Sequence, residues 1–115
     1  MIVDDEKDIC RLICGIVIQH GFDCELIYTM EMAKKYIAQE SFDMYFIDVN
    51  LPDGSGFDLV SEFISKENRN DVVMISALDG EDEIHKSKSL GVHMFLRKPF
   101  SKNEILTAIN GKNNK

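Results

Sequence analysis

The chain has 115 residues, enough for one domain with a single core and no need of extra staples. Its residues are 44% hydrophobic and 29% charged, ordinary proportions for a globular protein. Thirteen basic residues against 20 acidic ones give a net charge of −7, which excludes non-specific nucleic-acid binding because phosphate contacts need a basic surface.

The elements follow in chain order. Met1-Ile2-Val3 reads as a first strand that runs into Asp4-Asp5-Glu6. Acids at that place suit a helix N-terminus, and Asp8 is read in that way. Helix one is predicted over residues 7–20, from Ile9, Leu12, Ile13, Ile16 and Val17 at helical spacing, with Gly21 as its C-cap. Strand two covers 24–27. Helix two covers 30–40, with Thr29 as N-cap. An apolar run over 44–47 is strand three and ends at Asp48. Leu51-Pro52-Asp53-Gly54 then turns the chain, with Gly54 and Gly56 supplying permissive dihedrals. Helix three starts at 56–57 and packs Phe57, Leu59, Val60, Phe63 and Ile64 inward. Strand four, 72–75, ends at Ser76-Ala77. Helix four, 81–90, is closed by Gly91. Only Ile84 and Leu90 are obvious apolar positions in it, so it is expected to be the least firmly packed helix. Strand five, 94–97, runs into Lys98-Pro99-Phe100. Ser101 with Glu104 three residues on forms a capping box for helix five. Residues 1–110 are read as one domain and 111–115 as a polar tail that frays.

Strands alternating with helices imply a parallel sheet covered on both faces. The doubly wound, flavodoxin-like (βα)5 arrangement has strand order 2-1-3-4-5, which sets strands one and three side by side at the switch point. Asp4, Asp5 and Asp48 then share one pocket. Three carboxylates together repel and raise their own pKa values. Such a cluster suits a hard divalent cation, and magnesium fits best because it combines one or two carboxylates with waters and a phosphate oxygen. Near Asp48, the Ser76 hydroxyl offers a phosphoryl group a hydrogen bond and the Lys98 ammonium neutralises its charge. Singly, Asp48 reads as the start of a turn, Ser76 as a turn serine and Lys98 as a solvated lysine. Together, four strand tips in the order acid-acid, acid, hydroxyl, lysine form a constellation.

The segments IVDDE at 2–6, FDMYFIDVNLPDGSGFDL at 42–59, VVMISA at 72–77 and GVHMFLRKPF at 91–100 carry a resemblance. The chain resembles, over essentially its whole length, the receiver domain of bacterial two-component response regulators. The resemblance implies that Asp48 is the phosphoacceptor. It makes Asp5 the direct magnesium ligand, Asp4 a ligand through water, and the Asn50 carbonyl the third protein ligand. Ser76 and Lys98 contact the phosphoryl group, and Phe95, three residues before Lys98, takes the aromatic switch position, with Ser76 as the other switch residue. A cis Lys98–Pro99 bond aims Lys98 into the pocket. The implied donor is a histidine kinase or histidine phosphotransfer protein. The implied output is a partner or domain on the face of helix four, strand five and helix five, with homodimerisation on phosphorylation as one form. The domain promotes its own phosphorylation and dephosphorylation and is otherwise no enzyme. Leu78, two beyond Ser76, cannot orient a water, which implies slow dephosphorylation. A stand-alone receiver, a truncated regulator and the receiver of a hybrid sensor kinase remain alternatives, as does a degenerate receiver that only binds protein.

Two other readings of the residues are weaker. An aspartyl-nucleophile phosphatase needs a second acid two residues after the nucleophile, and Asn50 stands there. A flavin or nucleotide carrier needs a phosphate loop after strand one, where Asp4-Asp5-Glu6 repels phosphate. Cys10, Cys14 and Cys24 are expected to be reduced core cysteines, since Cys10 and Cys14 lie four apart in a helical pattern and free cysteine is commonly buried, while His20, His85 and His93 do not fall at ligand spacing for a metal site around them. No apolar stretch approaches the ~20 residues of a membrane helix, and Met1-Ile2-Val3 is far too short for a leader, so a cytoplasmic domain is expected.

Overall fold

A computed structural model describes residues 1–77 and 80–113. Five parallel strands form the central sheet: β1 (Ile2–Val3), β2 (Leu26–Ile27), β3 (Tyr45–Asp48), β6 (Val72–Ser76) and β7 (Met94–Arg97). Their spatial order is β2-β1-β3-β6-β7, the predicted 2-1-3-4-5 once a small hairpin is counted. That hairpin, β4 (Asn50–Leu51) with β5 (Gly54–Ser55), is antiparallel and has no period-two pattern by which the sequence could announce it. The helices are α1 (Lys7–Gln19), α2 (Met30–Gln39), α3 (Gly56–Phe63), α4 (Glu81–Leu90) and α5 (Lys102–Asn113), and a 3-10 helix covers Lys66–Asp71. Among the described residues, no helix is long and apolar enough to cross a membrane.

Successive strand side chains point to opposite faces, so the buried strands divide their residues between two cores. Val3, Ile47, Val72 and Met74 pack with α2 and α3, through Met30, Ala33, Phe57, Leu59 and Val60. Ile2, Phe46, Val73, Ile75 and Leu96 pack with α1 and α5, through Cys10, Ile13, Val17, Ile105 and Ile109. Both faces of the sheet are therefore covered, as all-parallel sheets require.

The helix ends are capped as their sequences suggest. Thr29 Oγ1 accepts from the Met32 amide at 3.2 Å. The Glu104 amide donates to Ser101 Oγ at 3.2 Å, and the Ser101 amide donates to Glu104 Oε1 at 3.1 Å. Gly91 closes α4 at φ 82°. One cap was not expected: both carboxylate oxygens of Asp53 accept from the first amides of α2, Met30 at 2.8 Å and Glu31 at 3.0 Å. α4 is thinly anchored, and its Ser87 hydroxyl is buried with no partner among the described residues.

Several expectations are corrected. Phe63 is exposed, not inward, because α3 has a narrower apolar stripe than expected, and Leu12, one of the apolar positions at helical spacing in α1, is exposed as well. The Phe63 ring is instead covered by the ammonium of Lys34, 4.9 Å from its centre. Gly54 does adopt a dihedral that favours glycine, φ 157°, but Gly56 does not. Gly56 is needed for closeness, since a Cβ there would collide with the Asp48 carbonyl oxygen. The cysteines are not all reduced: Cys14 of α1 and Cys24, just before β2, form a disulfide with their Cα atoms 5.9 Å apart. Helical spacing relates Cys10 to Cys14 but is silent on Cys24. Gly21, at φ 88°, turns the chain back along α1 and brings Cys24 there. Cys10 is free and buried.

Candidate functional site

The register of the sheet assembles the site. Val3 pairs with Ile47, so Asp4 and Asp48 follow at adjacent strand ends. Asp48 pairs with Ile75, and Ser76 with Arg97, which brings Ser76 and then Lys98 to the same edge. Backbone hydrogen bonds continue the ladder there, from the Val49 amide to the Ile75 carbonyl and from the Lys98 amide to the Ser76 carbonyl, both at 2.8 Å. The Lys98–Pro99 peptide is cis.

Carboxylate oxygens of Asp4, Asp5 and Asp48 lie within 4.8 Å of one another. Asp4 and Asp48 are buried and Asp5 is exposed, so one edge of the cluster opens to solvent. Lys98 answers this charge. Its Nζ lies 2.9 Å from Asp4 Oδ2, 3.1 Å from Asp48 Oδ2 and 2.8 Å from Glu6 Oε2. The contact with Asp4 is a close ion pair, whereas those with Glu6 and Asp48 are also well-directed hydrogen bonds. The other Asp48 oxygen accepts from the Asn50 amide at 3.2 Å. Asp4 Oδ1 accepts from the Glu6 amide at 2.9 Å, and the Asp4 carbonyl accepts from the Cys10 thiol at 3.1 Å.

Burial pushes the Asp48 carboxyl up to about 6, and the Asp4 carboxylate adds to the rise, against the pull of Lys98 and the Asn50 amide. Burial alone would lower Lys98, but its contacts with Glu6 and Asp4, with the charge of Asp48, hold it above the ordinary lysine range and firmly charged. Burial and the Asp4 carboxylate push the Cys10 thiol up to about 11, so it is an inert core thiol.

The predicted residues thus meet at one edge: Asp4, Asp5, Asp48, Asn50, Ser76 and Lys98. Ser76 is fully buried at the tip of β6. Phe95 is half-buried and packs against the α2–α3 core. Asp8 stays away, exposed and 3.6 Å from Arg11. Leu78 lies outside the described residues. Glu6 was missed: it reads locally as one more acid before a helix, and its partner Lys98 is 92 residues distant.

A doubly wound parallel sheet with an acid cluster and a half-buried lysine at its switch point defines a receiver-type α/β module. The chain belongs to the response regulator receiver domain family, whose match spans residues 1–110, and so to the domains of two-component systems. Among relatives, the regulatory protein VanRc of Enterococcus gallinarum is 32% identical over 109 residues, covering 95% of this chain and 47% of that protein. The response regulator protein PilR of Pseudomonas aeruginosa is 34% identical over 99 residues, covering 86% of this chain and 22% of that protein. The chain therefore spans less than half the length of either relative. Among solved structures, the non-phosphorylated HemR receiver domain from Leptospira biflexa has a TM-score of 0.85 at 26% identity, covering 96% of this chain and 90% of that one.

Proposed function

We propose that this domain takes a phosphoryl group from the phosphohistidine of a histidine kinase or phosphotransfer protein onto Asp48, and so switches a partner-binding face. The observation that carries the reading is the Lys98 ammonium 3.1 Å from Asp48 Oδ2, beside two further acids at the same sheet edge. In the transfer, the nitrogen–phosphorus bond breaks and an Asp48 oxygen–phosphorus bond forms. The protein supplies position and charge rather than covalent chemistry of its own.

The donor set suits magnesium: three carboxylates close enough to share one hard cation, one of them open to water. Asp5, Asp48 and the Asn50 carbonyl would hold it, with Asp4 acting through water. When bound, it supplies positive charge that favours ionised Asp48 and offsets charge on the phosphoryl oxygens. Asp48 attacks as the carboxylate. Lys98 is already charged and oriented, so it opposes the developing charge without reorganising. The Ser76 hydroxyl donates to the phosphoryl group. Its movement leaves space for Phe95, and the face of α4, β7 and α5 shifts population. The output is a partner or attached domain on that face, or a second receiver. The setting is cytoplasmic, and the net charge of −7 leaves nucleic-acid contact to other domains.

Intact-mass spectrometry after incubation with acetyl phosphate tests this. The wild type should gain one phosphoryl group only with magnesium, and Asp48→Asn should gain none. Undiminished labelling of the variant would sink the assignment.

A further inference from the structure

We propose that Cys14 and Cys24 form a reversible thiol–disulfide exchange site, served by a dithiol reductant, whose state sets how firmly α1 and β2 hold the backbone of Asp4. The disulfide joins α1 covalently to the residues that lead into β2. Both elements also grip Asp4. The Asp4 amide donates to the Ile27 carbonyl of β2 at 2.9 Å. The Asp4 carbonyl accepts from Cys10 of α1, one turn before Cys14. A bond between α1 and the start of β2 therefore fixes both sides of one acidic residue of the site.

The remaining structure makes this bond consequential. β2 is an edge strand of two residues, paired with β1. Backbone hydrogen bonds flank the loop that carries Cys24: the Phe22 amide donates to the Val17 carbonyl at 3.0 Å, and the Ile2 amide donates to the Glu25 carbonyl at 2.8 Å. Cys14 and Cys24 are both half-buried, so a reductant can reach them, whereas Cys10 is fully buried. In the exchange, a reductant thiolate attacks one sulfur, the sulfur–sulfur bond breaks, and the freed cysteine takes a proton. The second reductant thiol then displaces the other cysteine. The pair gains two electrons and two protons, and the dithiol leaves as its own disulfide. The inference rests on the cytoplasmic reading above, because disulfides in reducing compartments are mostly transient or sensing.

The test equilibrates the folded chain in dithiothreitol buffers of graded ratio, then traps thiols by alkylation for mass analysis and follows backbone hydrogen exchange. One reversible two-electron step should appear, confined to Cys14 and Cys24. Reduction should speed exchange around residues 4 and 22–27 by at least about tenfold, as expected when a local tether is released. Reoxidation should reverse the change. The double variant Cys14→Ser/Cys24→Ser should exchange like the reduced chain and ignore the buffer. Should that variant not fold, the wild-type cycle decides alone. A pair that stays alkylatable under oxidising buffer, that resists reduction until the chain unfolds, or whose reduction leaves exchange unchanged overturns the proposal. Because the thiol titration requires neither Asp48 nor magnesium, its failure is distinct from a failure of Asp48 labelling.

Discussion

Asp48→Asn should stabilise the metal-free domain, and the gain should depend on pH. Asparagine has the shape of the protonated carboxyl but never ionises. The Asp48 carboxyl sits at about 6 in the fold, against an ordinary 3.8. The folded state therefore binds this proton more tightly than the unfolded chain. The stability it contributes is fully present below about pH 3.8 and is lost as pH rises through about 6. A rise of this size corresponds to roughly 3 kcal/mol. At about pH 7.5 nearly all of that should separate variant from wild type, and at about pH 4.5 only about 1 kcal/mol should remain. For a chain of this size the larger figure is a Tm difference on the order of 10 °C. The assay is thermal and urea unfolding followed by circular dichroism, in chelator, at both pH values. Magnesium added at neutral pH should stabilise the wild type and narrow the gap. Equal stability at about pH 7.5, or a gap that widens toward acid, would refute the account of burial and like charge.

Asp5→Ala should weaken magnesium binding by at least about tenfold in a titration, while Asp8→Ala, at the exposed start of α1, should leave it within about twofold. Lys98→Ala should still take a phosphoryl mimic at Asp48, but the resulting change in hydrogen exchange over residues 80–104 should shrink. Changes centred on α1 and α2, or indifferent to Lys98, would break the proposed route.

β1, β3, β6 and β7 could be placed from the sequence because each is a short apolar run that ends in a polar residue. Asp48 and Ser76 announced themselves for that reason. The caps at Thr29 and Ser101 were legible because their partners lie three residues away. What escaped depends on distant pairing. Glu6 acquires meaning only when β7 delivers Lys98, and Asp53 only when the hairpin reaches α2. Cys24 meets Cys14 through a turn whose direction is set by one glycine dihedral. Phe63 repeats at helical spacing like a core residue, yet its place on α3 turns it to solvent beneath Lys34.

The two-faced strands also sort the site by parity. Counting onward from Ile2, Phe46 and Leu96, which face α1 and α5, every second residue arrives at Asp4, Asp48 and Lys98. Counting from Met74, which faces α2 and α3, the same step arrives at Ser76, and Phe95, the cross-strand partner of Met74, packs on that side too. Asp4, Asp48 and Lys98 thus belong to one layer of the protein, and Ser76 and Phe95 to the other. On the proposed mechanism, a change of charge in the first layer would reach the second across a single sheet. A one-residue slip of β7 would send Phe95 to the side of Asp4 and Asp48 and Lys98 away from it, so the pairing register itself decides which side chains the site receives.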